Sequence, residues 1–163
     1  MLYLDTSVLV PLFVPEPDSA ALRAWFETKT ADTLAISEWT LTEFVSAMGV
    51  KVREKTLQSA QAREACELMR GLAAHSLQVL APTRVDFSKA AELLAHFSYG
   101  LRAGDALHLA VAQNEQAACV YTFDRRLSRP VASSRSKSRV RCNQVSSHGH
   151  SCRPACCTPG LAG

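Results

Sequence analysis

Four short apolar runs, separated by segments of helical length, most constrain the fold of this chain. The runs cover residues 1–5, 34–37, 77–80 and 118–123. Between them, apolar residues recur at helical spacing, which predicts six helices. These helices cover residues 7–13, 19–28, 38–53, 57–75, 85–97 and 103–115. Strands that alternate with helices are typical of parallel α/β folds, because parallel strands need crossover connections. We therefore predict a parallel sheet of four strands flanked by helices.

The chain changes character after residue 128. At 163 residues it is long enough for one domain with a core and too short for two of ordinary size. Residues 1–128 contain 12 Lys and Arg and all 15 acids, whereas residues 129–163 contain six basic residues and no acid. We predict a domain over residues 1–128 and a basic tail over 129–163 that does not belong to its fold. Removing the tail is then expected to leave the stability of the domain nearly unchanged.

The tail leaves three explanations open. It is rich in Ser, Arg, Cys, Pro and Gly, a composition typical of disorder. It could also be the product of an altered reading frame. A short metal-binding segment is the third explanation, with ligands from His148, His150, Cys152, Cys156 and Cys157. Their spacing fits no standard zinc pattern, so disorder is favoured over metal binding.

The amino-terminal apolar stretch does not resemble a signal peptide or a membrane span. It starts at Met1 without a basic region and is broken by Asp5, Pro11 and Pro15. Outside the tail the only cysteines are Cys66 and Cys119, which lie in apolar patterns and are interpreted as small buried hydrophobic residues. We expect a cytoplasmic protein without a disulfide framework or a membrane segment.

Four carboxylates stand where an apolar run ends or on the helices between the runs. They are Asp5, Glu43, Asp105 and Asp124. Neighbouring parallel strands deliver their last residues to the same sheet edge, where ligands of such folds bind. Singly, Asp5 could be a helix N-cap and Asp105 a first-turn acid that complements the helix dipole. Together, the four acids predict a site for a divalent metal ion.

Glu43 is the most informative of these acids, because its helical neighbours Trp39, Ala47 and Val50 are apolar. Burying an unpaired ion is costly, so Glu43 is expected to have a raised pKa or to face a cation. Converging acids would repel each other by about 4 kcal/mol per pair at ~4 Å and an effective dielectric constant near 20. A Mg²⁺ or Mn²⁺ ion would remove that penalty and leave positions for a phosphate oxygen and a water.

Further polar residues adjoin the acids and are predicted to support the site or contact RNA. They are Thr6, Ser7, Thr122, Arg125 and Arg126. The hydroxyls of Thr6, Ser7 and Thr122 could orient carboxylates or waters, although Thr6 and Ser7 could equally cap the next helix. The two arginines could meet phosphate or form a solvated turn. His108 is interpreted as a packed or hydrogen-bonded helix residue rather than a base.

These motifs, in this order, resemble the PIN-domain family and, within it, the VapC-type toxins of bacterial toxin–antitoxin pairs. The resemblance covers residues 1–127 and is carried by segments 4–7, 37–44, 105–110 and 122–127. It implies a three-layer α/β fold with a five-stranded sheet in the family, Mg²⁺- or Mn²⁺-dependent RNA cleavage, a homodimer and a small antitoxin partner. The family's acidic positions match Asp5, Glu43, Asp105 and Asp124 of this chain, and Thr122 matches its frequent Ser/Thr.

The carboxyl end departs from the family. Its members usually continue after the last acid with an Ala/Leu-rich helix and often a fifth strand, whereas this chain becomes basic from Ser128 onward. If the missing elements brace Asp124, activity would be reduced. Two alternatives stay open: a catalytically impaired PIN module that binds antitoxin or RNA, and a phosphatase of the haloacid dehalogenase type that uses Asp5. The phosphatase family has a second Asp two positions later, where this chain has Ser7.

Overall fold

The computed structural model describes residues 1–16, 19–29, 33–124, 127 and 141–144. Its strands are β1 Leu2–Leu4, β2 Leu34–Ser37, β3 Gln78–Leu80, β4 Cys119–Thr122 and β5 Arg141–Gln144. Its helices are α1 Thr6–Phe13, α2 Ser19–Glu27, α3 Glu38–Arg53, α4 Ser59–Ser76, α5 Arg84–Ala95 and α6 Ala103–Asn114. All four predicted strands and all six predicted helices are present, and their ends lie within two residues of the predicted ends.

The strands form one parallel sheet with the order β3-β2-β1-β4-β5. The chain therefore winds from β1 to β3 on one side and then places β4 on the other side of β1. This reversal makes the junction of β1 and β4 the switch point, and ligands of open α/β sheets bind outside the carboxyl ends of such strands. The pairing extends to Asp5, whose backbone N–H donates to the Tyr121 carbonyl at 3.0 Å.

Each face of the sheet carries its own layer of helices. Along β1, Tyr3 packs with the core that α5 and α6 cover, and Leu4 packs with the core of α1, α3 and α4. Along β2, Ala35 and Ile36 alternate in the same way. Successive strand residues point to opposite faces, so adjacent apolar residues enter different cores. The predicted three-layer α/β arrangement is confirmed.

The fifth strand comes from the segment that we expected to lie outside the domain. Residues Arg141–Gln144 pair in parallel with Cys119–Thr122, which adds a fifth strand at the edge of the four predicted ones. Hydrophobic periodicity does not reveal such a strand, because edge pairing uses backbone groups that every non-proline residue supplies. The remaining residues of 129–163 lie outside the described residues, so the boundary at 128 and the three explanations for the tail stay predictions.

The two cysteines outside the tail are free thiols. Cys119 is buried in β4, and Cys66 is partly buried on α4. Within the described ranges, no helix has the length and hydropathy that crossing a membrane requires.

Candidate metal centre

The carboxylate of Asp5 is buried at the end of β1 and is held by hydroxyl groups. Ser7 Oγ donates to Asp5 Oδ2 at 2.5 Å, and Thr122 Oγ1 donates to the same oxygen at 2.7 Å. Asp5 occupies the N-cap position of α1, but its side chain makes no cap hydrogen bond. The capping explanation therefore does not account for this acid, whose other oxygen, Oδ1, lies 3.4 Å from His108 Nε2.

The backbone after β4 is hydrogen-bonded to the same two hydroxyls, those of Ser7 and Thr122. Thr122 Oγ1 accepts from the Asp124 N–H at 2.8 Å, and Ser7 Oγ accepts from the Phe123 N–H at 2.9 Å. The hydroxyls of Ser7 and Thr122 thus join the two strand ends at the switch point. Arg125 and Arg126, predicted as possible RNA contacts, lie outside the described residues.

Glu43 reaches the site from α3. Its Oε2 accepts from Thr6 Oγ1 at 2.7 Å and lies 2.6 Å from His108 Nε2. Thr6 therefore orients a carboxylate, as Ser7 does, rather than capping α1 through its side chain. The side chain of Glu43 remains 28% exposed, so the carboxylate stands at the border between core and solvent.

His108 is fully buried between a phenol and two carboxylates. Tyr3 OH donates to Ser37 Oγ at 2.8 Å, and the Tyr3 oxygen lies 2.8 Å from His108 Nδ1. Nε2 faces carboxylates, which only accept when ionised, so Nε2 is the donor in these contacts. Burial alone would lower the pKa of His108, but the hydrogen bond to Glu43 and the charges of Asp5, Glu43 and Asp105 raise it.

This histidine corrects the expectation for Glu43. Burial would raise the pKa of Glu43, but the hydrogen bond and charge of His108, with the hydrogen bond from Thr6, lower it. Of the two alternatives expected for Glu43, a raised pKa or a facing cation, the raised pKa does not hold, because the pKa is lowered and His108 faces the carboxylate. His108 is hydrogen-bonded as interpreted, but its place among the acids was missed. The available signal was its spacing: it lies one helical turn after Asp105, on the same face of α6.

Asp105 lies in the first turn of α6, and it is near enough to the other acids for their charges to raise its pKa. Its Oδ2 accepts from the Arg102 N–H at 2.9 Å, the interaction expected of a first-turn acid. Burial raises the pKa of Asp105, this hydrogen bond opposes the rise, and the charges of Asp124, Asp5 and Glu43 add to it. Asp105 therefore both supports the helix and faces the acidic group.

Gly104 and Trp39 form the wall beside Glu43. A Cβ at Gly104 would overlap Glu43 Oε1 and lie 3.2 Å from Trp39 Nε1. The buried Trp39 Nε1 atom faces Glu43, and its N–H helps to lower the pKa of that carboxylate. The site thus packs α6 against Glu43 at the position where a side chain is absent.

The family follows from the sequence match. The sequence profile of the PIN domain family matches residues 2–132. This chain belongs to the PIN domain family. No curated protein sequence matches it.

Solved structures share the PIN fold at low identity. Mycobacterium tuberculosis VapC20, a sarcin–ricin loop cleaving toxin, is 19% identical with a TM-score of 0.64, covering 78% of this chain and 93% of its own. DNA-bound VapBC from Salmonella typhimurium is 18% identical with a TM-score of 0.60, covering 88% and 96%. VapBC2 from Rickettsia felis, bound to a promoter DNA fragment, is 19% identical with a TM-score of 0.59, covering 88% and 98%. At these identities the likeness establishes the fold.

The residues of this PIN domain fit a divalent ion. Ligand atoms of Asp5, Glu43 and His108 all lie within 4.8 Å of one another. Carboxylate oxygens are the donors that Mg²⁺ and Mn²⁺ prefer, so Asp5 and Glu43 would supply the ligand atoms of this group. Asp105 and Asp124, predicted as ligands, lie outside this closest group, although the charges of Asp5, Glu43 and Asp124 all raise the pKa of Asp105.

Proposed function

We propose that this PIN domain is a Mg²⁺- or Mn²⁺-dependent endoribonuclease and the toxin of a toxin–antitoxin pair. The observation that carries the proposal is the convergence of Asp5 and Glu43 on one side of the β1–β4 switch point, within the electrostatic reach of Asp105 and Asp124. Such a concentration of carboxylates at a ligand-binding edge is the arrangement that a phosphodiester-cleaving metal site requires.

The structural neighbours support the same activity and partner. VapC20 is a sarcin–ricin loop cleaving toxin, and another neighbour, from Klebsiella pneumoniae, is a toxin–antitoxin complex with a TM-score of 0.51. We infer that the substrate is RNA and that the partner is a small antitoxin. A homodimer completes the proposal, as the family resemblance implies.

The protein groups divide the work at the site. Asp5 and Glu43 would hold the ion, with Asp105 and Asp124 beside them as further carboxylates. A bound Mg²⁺ or Mn²⁺ polarises a phosphodiester and lowers the pKa of an attacking water. Ser7 and Thr122 donate hydrogen bonds to Asp5 Oδ2, which leaves Oδ1 on the side of His108 and Glu43. Thr6 and His108 fix Glu43 Oε2, so both carboxylates are oriented before any ligand arrives.

The test is RNA cleavage by the purified full-length chain in Mg²⁺ or Mn²⁺, with and without EDTA. Asp5→Asn should remove most of the cleavage, because it deletes a ligand charge while preserving volume. Glu64→Gln, which changes an exposed carboxylate on α4, is the matched control and should cut at the wild-type rate. Cleavage that persists in chelator, or in Asp5→Asn, would contradict the proposal.

The impaired-module alternative has its own signature in the same experiment. A silent module would bind RNA or antitoxin equally well with EDTA present and would show no cleavage under any metal condition. The phosphatase alternative loses its basis, because the chain belongs to the PIN domain family.

A further inference from the structure

A chain of buried hydrogen bonds runs beneath the candidate metal centre. It begins at Ser37 Oγ, passes through Tyr3 OH at 2.8 Å and His108 Nδ1 at 2.8 Å, and ends where His108 Nε2 meets Glu43 Oε2 at 2.6 Å. Tyr3 and Ser37 are 0% exposed and His108 is 1% exposed. The chain therefore links β2, β1 and α6 to a carboxylate on α3 through the interior of the protein.

The far end of this chain is anchored to the helix that carries Glu43. Ser37 Oγ accepts from the Thr40 N–H at 3.3 Å, and Thr40 Oγ1 accepts from the Ser37 N–H at 3.1 Å, which forms the capping box of α3. Glu43 follows Thr40 by three residues, so it projects from the same side of the helix. Tyr3 and His108 thus hold α3 at its cap and at its carboxylate.

A purely structural core would not need these polar groups. Burying a phenol and an imidazole costs free energy unless each polar atom finds a partner, and apolar residues of similar size would avoid that cost. Here each polar atom has a partner, and the last one belongs to the candidate metal centre. The rings of Tyr3 and His108 also meet edge to face, with centroids 5.7 Å apart at 63°. The contacts of the two ring nitrogens with Tyr3 OH and Glu43 Oε2 fix the orientation of the imidazole.

We propose that Tyr3 and His108 are positioning residues for the metal site. His108 Nε2 holds Glu43 Oε2 beside Asp5 Oδ1, and Tyr3 OH fixes the orientation of the imidazole, so that the two carboxylates can share one divalent cation. This inference rests on the proposed function, because it assigns the carboxylates to a metal ion. Neither residue is one of the four acids predicted from the sequence.

The first measurement is the binding of Mn²⁺ alone to the full chain, by calorimetry and by electron paramagnetic resonance. Wild type that binds no Mn²⁺ would contradict the proposed function itself. With Mn²⁺ bound by wild type, Tyr3→Phe, which removes only the hydroxyl, should weaken Mn²⁺ affinity by about tenfold or more, as loss of an orienting partner does.

Asp86→Asn is the matched control for general destabilisation. Asp86 is buried at the opposite end of α6 from the site, where it accepts from Asn114 Nδ2 at 2.6 Å. This variant also loses buried hydrogen bonds and should melt at a lower temperature, but it should bind Mn²⁺ with wild-type affinity. A Tyr3→Phe variant that has a lower melting temperature but wild-type Mn²⁺ affinity would overturn the positioning role.

Two substitutions of His108 test which ring nitrogen the metal site depends on. They also decide the question if the Tyr3→Phe variant does not fold. Gln places an amide nitrogen near the position of Nε2, whereas Asn places one near Nδ1. His108→Gln should therefore retain more Mn²⁺ affinity than His108→Asn. Equal affinities in the two variants would overturn the proposal. A second outcome would also overturn the proposal: the pulsed resonance spectrum of the wild-type Mn²⁺ complex shows ¹⁴N coupling, and both variants lose it. Such coupling would make His108 a ligand.

Discussion

Gly104 at the start of α6 lies directly against the carboxylate of Glu43 on α3, and a Cβ at this glycine would overlap Oε1. Glu43 is the flexible partner in this contact, but Thr6 and His108 hold its other oxygen at 2.7 and 2.6 Å. The absence of a side chain at position 104 is therefore a condition for the observed orientation of Glu43. The φ of Gly104 plays no part in this requirement, since the residue is helical.

Gly104→Ala is predicted to weaken metal binding with little loss of stability. The added methyl group must displace Glu43 Oε1, while part of the helix propensity that alanine has over glycine, about 1 kcal/mol in a helix interior, offsets the cost in this first turn. We expect weaker Mn²⁺ affinity, measured by calorimetry, at a nearly unchanged melting temperature. Gly71→Ala is the control: its Cβ would have no atom within 4 Å, so it should raise the melting temperature and leave Mn²⁺ affinity as it was.

Thr122→Val is predicted to impair the site, whereas Thr122→Ser is not. Valine keeps the volume but loses the hydroxyl that donates to Asp5 Oδ2 at 2.7 Å and accepts from Asp124 N–H at 2.8 Å. A buried hydrogen bond to a charged group contributes about 1.5–3 kcal/mol, which corresponds to about ten- to a hundredfold in affinity or rate. RNA cleavage rates and Mn²⁺ affinities of both variants test this. Equal behaviour of the valine and serine variants would show that the hydroxyl has no part in the site.

The sequence predicted the elements well because each has a strong local signal. Continuous apolar runs such as Tyr3-Leu4 and Ala35-Ile36, which are buried on both faces of the sheet, and helical periodicity between the runs are properties of neighbouring residues. His108 escaped prediction for the opposite reason: its partners Tyr3 and Glu43 are 105 and 65 residues away. The spacing of one helical turn from Asp105 was the local signal, but residues 106–112 of α6 are all buried and no polar face marks the histidine.

Asp86 is predicted to make stability depend on pH in the acid range. Its Oδ2 accepts from Thr83 N–H and Thr83 Oγ1, both at 2.7 Å. Burial would raise the pKa of Asp86, but these bonds and that from Asn114 lower it below its ordinary value of 3.8. A depressed carboxyl pKa means that the unfolded chain binds the proton more tightly. The stabilisation is therefore fully present above about pH 4 and is lost as pH falls through the folded-state pKa.

The measurement for Asp86 is urea denaturation of wild type and Asp86→Asn at pH 7 and at pH 3. The variant should be less stable by about 1–3 kcal/mol at pH 7, because buried donors lose a charged acceptor. The difference should shrink at pH 3, below the ordinary pKa of 3.8, because the carboxyl group of the unfolded wild-type chain protonates there. A difference that is the same at both pH values would assign the loss to packing instead of charge.

The fifth strand leads to a prediction about truncation. Strand β5, Arg141–Gln144, pairs with all four residues of β4, and β4 carries the buried Val120 and the site residue Thr122. A chain that ends at residue 128 would leave the edge of β4 unpaired, and an exposed edge strand both destabilises the sheet and invites pairing between molecules. A chain that ends at residue 144 keeps β5.

We expect the chain that ends at residue 128 to melt at a lower temperature, to associate at high concentration and to bind Mn²⁺ more weakly. The chain that ends at residue 144 should behave like the full-length protein in calorimetry and light scattering. If both truncated chains melt together with the full-length protein, β5 adds nothing to the domain, and the boundary that the composition placed at residue 128 is correct.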